Sequence, residues 1–113
     1  MRYVLIALLL AGCATTPKDV MESGTRTVHV LKSPPSKAAL CMARNVENFH
    51  AGMVASVRPG DVGQEVIARL TAAESVIFVV HVEPTNTGSR AVVWYRGYLV
   101  GGESVQAAML AGC

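Results

Sequence analysis

The side chains with the most capacity for chemistry are three histidines, His29, His50 and His81, and three cysteines, Cys13, Cys41 and Cys113. A protein metal site needs several ligands brought together, commonly at short repeated spacings, and the histidines share none. His81 and Glu83 fall on the same side of any strand that carries both, which is the beginning of a metal or acid–base pair. No further ligand accompanies them. A two-carboxylate site for sugar hydrolysis built on Glu65 and Glu83 depends entirely on strand register. His50 closes an apolar-periodic segment, where positive charge is favourable against a helix C-terminus without any chemistry. Gly101-Gly102 is followed by Glu103 and by no lysine, so it lacks the pattern of a phosphate-binding loop. The expectation is a protein with no catalytic residue, no metal and no cofactor. A small periplasmic hydrolase or metal-binding enzyme centred on His81 and Glu83, with His29 as a third group, is the alternative.

The cysteines say more. Residues 1–13 read Met-Arg-Tyr-Val-Leu-Ile-Ala-Leu-Leu-Leu-Ala-Gly-Cys: one positive charge, an apolar run of roughly ten residues, two small residues and a cysteine, the pattern of an export signal. The run is about half the length that spans a bilayer as a helix. Leu10-Ala11-Gly12-Cys13 resembles the lipobox of bacterial lipoproteins, in which small residues admit the backbone to a peptidase and the cysteine thiol takes up diacylglycerol. The resemblance implies that residues 1–12 are removed as a signal peptide. Cys13 then becomes the first residue and carries fatty acyl chains such as palmitate, a firmer anchor than one chain would give. Ala14, standing where Asp would retain such a protein at the inner membrane, implies the outer membrane, facing the periplasm. Residues 13–24 are short of large apolar side chains and include Pro17 and Gly24. They read as a lipidated cysteine and flexible tether that reaches about 35 Å when stretched.

With Cys13 taken by lipid, Cys41 and Cys113 remain in an oxidising compartment, where two thiols of one small domain pair. A Cys41–Cys113 disulfide would close a loop of about 70 residues and constrain the unfolded chain by roughly 4 kcal/mol. The competing readings are a catalytic thiol at Cys41 and an intermolecular bridge through Cys113.

The elements that must position these groups follow from periodicity. Residues 25–32 alternate as a strand, and Ser33-Pro34-Pro35-Ser36 breaks it and offers a helix start. Ala38, Ala39, Met42, Val46 and Phe49 recur at the spacing of one helical stripe, with Cys41 beside it. Strand-like runs follow at 53–58, 64–71, 76–83 and 90–98, separated by turn-forming residues. Val105, Ala108, Met109 and Gly112 then mark a short helix that brings Cys113 near the first. Residues 25–113 thus read as one α+β domain, a two-layer sandwich with a mainly antiparallel sheet of about five strands in the order β-α-β-β-β-β-α and two helices on one face.

Hydrophobic residues make up 51% of the chain and charged residues 16%, enough apolar content to drive folding. The formal charge of +2 is spread singly along the chain, which excludes the clustered basic surface of a nucleic-acid binder. With ordinary hairpin registers, Val66, Ala68, Leu70, Val76, Phe78, Val80, Val82, Ala91, Val93 and Tyr95 share the face that meets the helices. The opposite face then carries Ile67, Arg69, Ile77, Val79, His81, Trp94 and Arg96, with Glu65, Glu83 and Val92 around them. An apolar centre with a charged rim, holding Trp and Arg, is the usual composition of an interaction surface. The expectation is a small envelope lipoprotein acting as a non-catalytic binding or assembly module through an open sheet face. Its partners would be the membrane through its lipid, and an envelope protein or a second copy in a homodimer. A lipoprotein inhibitor of hydrolases fits the same size, export and disulfide without any residue signature.

Overall fold

A computed structural model describes residues 16–49, 51–72, 74–96 and 103–113. The signal segment 1–12, Cys13, His50, the end of the strand expected at 90–98 and Gly101-Gly102 lie outside the described residues. The elements are α1 (Pro17–Ser23), β1 (Thr25–Leu31), α2 (Pro35–Phe49), β2 (Met53–Pro59), β3 (Gln64–Leu70), β4 (Ser75–Thr85), β5 (Gly88–Tyr95) and α3 (Glu103–Leu110). The strands form one five-stranded sheet in the order β1-β5-β4-β3-β2, with every neighbouring pair antiparallel. The fold is the expected α+β sandwich.

Strands β2 to β5 form a meander because short turns join them. The β4–β5 hairpin closes on Asn86-Thr87, with Thr85 opposite Gly88. Glycine is required at position 88 because a Cβ there would stand 2.2 Å from the Leu31 carbonyl oxygen. The first strand joins β5, the last, so α2 has to carry the chain across the sheet to the opposite edge.

Helices α2 and α3 lie on one face. Ala38, Met42 and Val46 of α2 and Val105 and Met109 of α3 share a single core with Val66, Phe78, Val80, Val82, Ala91 and Val93. Small side chains at Ala38, Ala39 and Ala43 let α2 approach the sheet closely, and all three are buried. Phe49, expected on the same stripe, stays 48% exposed in the last turn.

Two expectations are corrected. Residues 17–23, read as part of a flexible tether, are helical. Thr16 caps the helix: its Oγ1 accepts from the Asp19 N–H at 3.3 Å, while its own N–H donates to Asp19 Oδ2 at 3.1 Å. This reciprocal box satisfies two orphan donors, and Pro17 occupies the first turn, where a missing N–H costs nothing.

The second correction concerns Ile77, placed by simple alternation on the face away from α2 and α3. It is fully buried in the core beneath them. Ala68 pairs with Phe78 but Arg69 with Val76, so Ile77 is the extra residue of a bulge. One inserted residue reverses the alternation on one side of it. Val76, expected toward the helices, accordingly packs on the other face with Val20, Ile67 and Val79.

The Cys41 and Cys113 sulfurs are bonded at 2.07 Å. Around them Asn45 closes the end of α3, donating from Nδ2 to the carbonyls of Met109 and Ala111, each at 2.9 Å. These are the carbonyls a helix end leaves without intrahelical partners. Because the bridge spans a sequence separation of 72, replacing both cysteines by serine should lower unfolding stability by about 4 kcal/mol. Urea denaturation of oxidised wild type against the double variant measures this, and equal midpoints would count against it.

Candidate functional site

The face of the sheet away from α2 and α3 gathers most of the residues singled out by sequence. Alternation brings Arg58, Glu65, His81, Glu83, Arg90 and Trp94 to this outer face, and register sets their pairings. Arg58 stands opposite Glu65, Glu65 opposite His81, and Glu83 opposite Arg90. The result is a ladder of cross-strand charge pairs. Arg58 Nη2 and Arg90 Nη2 reach Glu65 and Glu83 at 2.5 Å, and His81 Nε2 lies 2.9 Å from Glu65 Oε2. The imidazole is out of line for a hydrogen bond, and its buried Nε2 has no hydrogen-bond partner among the described residues. The contact with Glu65 is an ion pair only when the ring carries a proton on both nitrogens. The His81 ring also meets Trp94 edge-on at 4.9 Å between centroids, and the Arg26 guanidinium lies 5.9 Å from the Trp94 centroid on the other side, within range of a cation–π attraction.

Beside this ladder is a cleft of about 370 Å³ lined by Arg58, Asp61, Val62, Glu65, His81 and Glu83 among others. Two of its three acids are engaged, Glu65 by Arg58 and His81, and Glu83 by Arg90, while Asp61 is exposed at the rim. Among the described residues no three His, Cys, Asp or Glu side chains are grouped so as to hold a metal ion. His29 lies on the other face, where its Nε2 is 3.0 Å from Thr27 Oγ1 and 3.2 Å from Gln106 Nε2 of α3. His29 and His81 therefore serve separate clusters, and the set of His81, Glu83 and His29 is not assembled.

The centre of the outer face is covered. Val20 of α1 is fully buried against Ile67, Val76 and Val79, with Met21 and Trp94 packed around them. Of the expected surface, Ile67 and Val79 are thus a floor for α1, and Ile77 belongs to the opposite core. His81 and Trp94 are half-buried. Arg96 donates to Ser23 Oγ at 3.1 Å and so ties the sheet to the end of α1. Arg69 is exposed.

Gly24 makes the close exit of α1 into β1 possible, since a Cβ there would fall 2.4 Å from the Val20 carbonyl oxygen and 2.9 Å from that of Tyr95. What remains open on this face lies along β1 and β5 and, past α1, at the β2 edge with Val54, Arg58 and Arg69. Val30 is 80% exposed and Val28 46%, and Val28 is paired across the ladder with the buried Val92.

Sequence reasoning missed α1, although Thr16 and Asp19 carry the spacing of a capping box. It also missed Asn45, whose role depends on a helix distant in sequence and leaves no local signal. No family model matches the chain, and no curated protein or solved structure matches it.

The Asp19 carboxyl is held below its ordinary value of 3.8, first by the Thr16 backbone N–H and then by the Thr16 side chain. A lowered folded value means that the cap's contribution is complete above 3.8 and fades as the pH falls through the folded value. Acidification over that window should loosen α1 and shift Trp94 emission to longer wavelength. Asp19→Asn should lack that step. An identical acid transition in both proteins would contradict the role given to Asp19.

Proposed function

We propose that the chain is a lipid-anchored protein of the bacterial envelope that acts as a non-catalytic assembly module, pairing through the edge strand β1 with a second copy of itself. The anchor is Cys13, supported by Leu10-Ala11-Gly12 before it. The residue that follows, Ala14, supports an outer-membrane location facing the periplasm. Among the described residues no helix is long and apolar enough to cross a membrane.

The observation that carries the assembly reading is the state of β1. It stands at one edge of the sheet, runs Thr25–Leu31 without proline, and has Arg26 as its one charged side chain. Natural edge strands are usually blunted by charges, prolines or short length, since unpaired backbone donors and acceptors template further pairing. The other edge, β2, ends in Arg58 and Pro59 and has α2 packed nearby. Strand β1 presents Val28 and Val30, both more exposed than Val54 of β2.

A second copy fits because antiparallel self-pairing about Val28 places Val28 against its counterpart, Arg26 against Val30 and Thr27 against His29. No like charges meet, and four valines form one stripe. The two-fold axis of such a pair runs perpendicular to the sheet. Both outer faces, and with them both copies of α1, then look the same way, as anchoring in a single membrane requires.

The mature protein in mild detergent should sediment as a dimer. Val30→Lys should make it monomeric at the same concentration while its circular dichroism is unchanged. A wild-type monomer, or a dimer indifferent to Val28→Lys and Val30→Lys, would refute this reading.

A further inference from the structure

If Cys13 is acylated, the position of α1 decides how the domain sits on its membrane. A flexible tether would let the domain tumble far from the bilayer. Helix α1 removes that freedom, because it is bound to the sheet at its middle and its C-terminal end: Val20 is fully buried, Arg96 donates to Ser23, and the chain passes directly into β1 at Gly24, whose N–H donates to the Val20 carbonyl at 2.8 Å. Pro17 therefore moves with the domain. Residues 14–16 are all that separate it from Cys13, and at about 3.5 Å per residue the two α-carbons stand within roughly 14 Å. The headgroup layer of one leaflet takes up about half of that distance. The start of α1 consequently rides at the lipid headgroups, inside about one Debye length of their charge.

What α1 brings to that surface is specific. Its first residue, Pro17, lines a recess with Ser56, Arg58, Ile67, Arg69 and Val76. Among the described residues no carboxylate lines it. Arg58 shares its charge with Glu65, and Glu74 borders the neighbouring hollow beside Arg69. Arg69 itself is exposed and has no ion-pair partner shown among the described residues. Lys18, the next residue of α1, is also exposed, with a loose contact to Glu22 at 3.8 Å. Arg58, Arg69 and Lys18 thus lie near the point where α1 begins, with the exposed Asp19 and Glu22 as the acids of α1 itself.

We infer that the outer sheet face docks on the bilayer, with Arg69 and Arg58 among the phosphates of anionic lipid headgroups and α1 lying between sheet and membrane. This rests on the reading of Cys13 as the lipidated residue and adds an orientation to it. Helices α2 and α3, on the other face, point toward the periplasm.

The test uses the mature chain purified from cells and reconstituted into vesicles, one set rich in phosphatidylglycerol and one of phosphatidylcholine alone. Arginines are modified with phenylglyoxal and the peptides, including the one that begins the chain, are read by mass spectrometry. On phosphatidylglycerol vesicles Arg69 modification should slow several-fold relative to detergent, while Arg44, exposed on α2, reacts at its detergent rate. Protection should be weaker on phosphatidylcholine. An acylated Cys13 with Arg69 as reactive as Arg44 would overturn the docking and leave the anchor standing. Equal protection on both vesicles would overturn recognition by headgroup charge. An unmodified Cys13 would overturn the anchor and the docking together.

Discussion

Burial of Val20 against Ile67, Val76 and Val79 is the contact on which the outer face depends. A seven-residue helix has no stability of its own, because nucleation costs more than so few hydrogen bonds return. Packing has to hold it, and one fully buried valine contributes about 2 kcal/mol. The capping box, the Arg96 to Ser23 hydrogen bond and the tight passage at Gly24 add to that single apolar contact. Together they divide one face of the sheet into a centre covered by α1 and open strips along β1 and at the β2 edge.

The bulge at Ile77 serves both sides of this arrangement. It sends Ile77 into the core beneath α2 and α3 while turning Val76 outward to meet Val20. Without the inserted residue, strict alternation from Val79 would turn Ile77 outward and Val76 inward. The opposite layer is held by different means: α3 is short, and its attachment rests on Val105 and Met109 in the core, on the Cys41–Cys113 bond and on Asn45, which satisfies two of its terminal carbonyls. A small domain with one core gains most from such a staple where a terminus would otherwise fray.

Much of this was legible in the amino-acid order, and the failures have physical causes. The succession from β1 to α3 followed from apolar periodicity, which reports burial directly in α2 and in the alternating strands. Cys41 and Cys113 stood out because an odd number of cysteines becomes even once Cys13 is assigned elsewhere. Alternation also placed Ile67, Val79, His81 and Trp94 on one face. It failed at Ile77, since parity carries no memory across a bulge whose position depends on a neighbouring strand. Helix α1 escaped because a single buried side chain makes no stripe. The strand order, with β1 beside β5, escaped because long-range pairing leaves no local trace. What Ile67 and Val79 face was therefore misread: their apolar character was right, and the occupant is part of the same chain.

Amide hydrogen exchange at Val20 and Gly24 tests most directly whether α1 is an integral layer of the domain. Their N–H groups donate to the carbonyls of Thr16 and Val20, so an α1 fixed to the sheet exchanges these protons slowly, at rates that follow those of β4 and β5. Exchange at the rate of an unstructured peptide, beside a fully protected sheet, would mean that residues 17–23 are a free tether, and the division of the outer face would not stand.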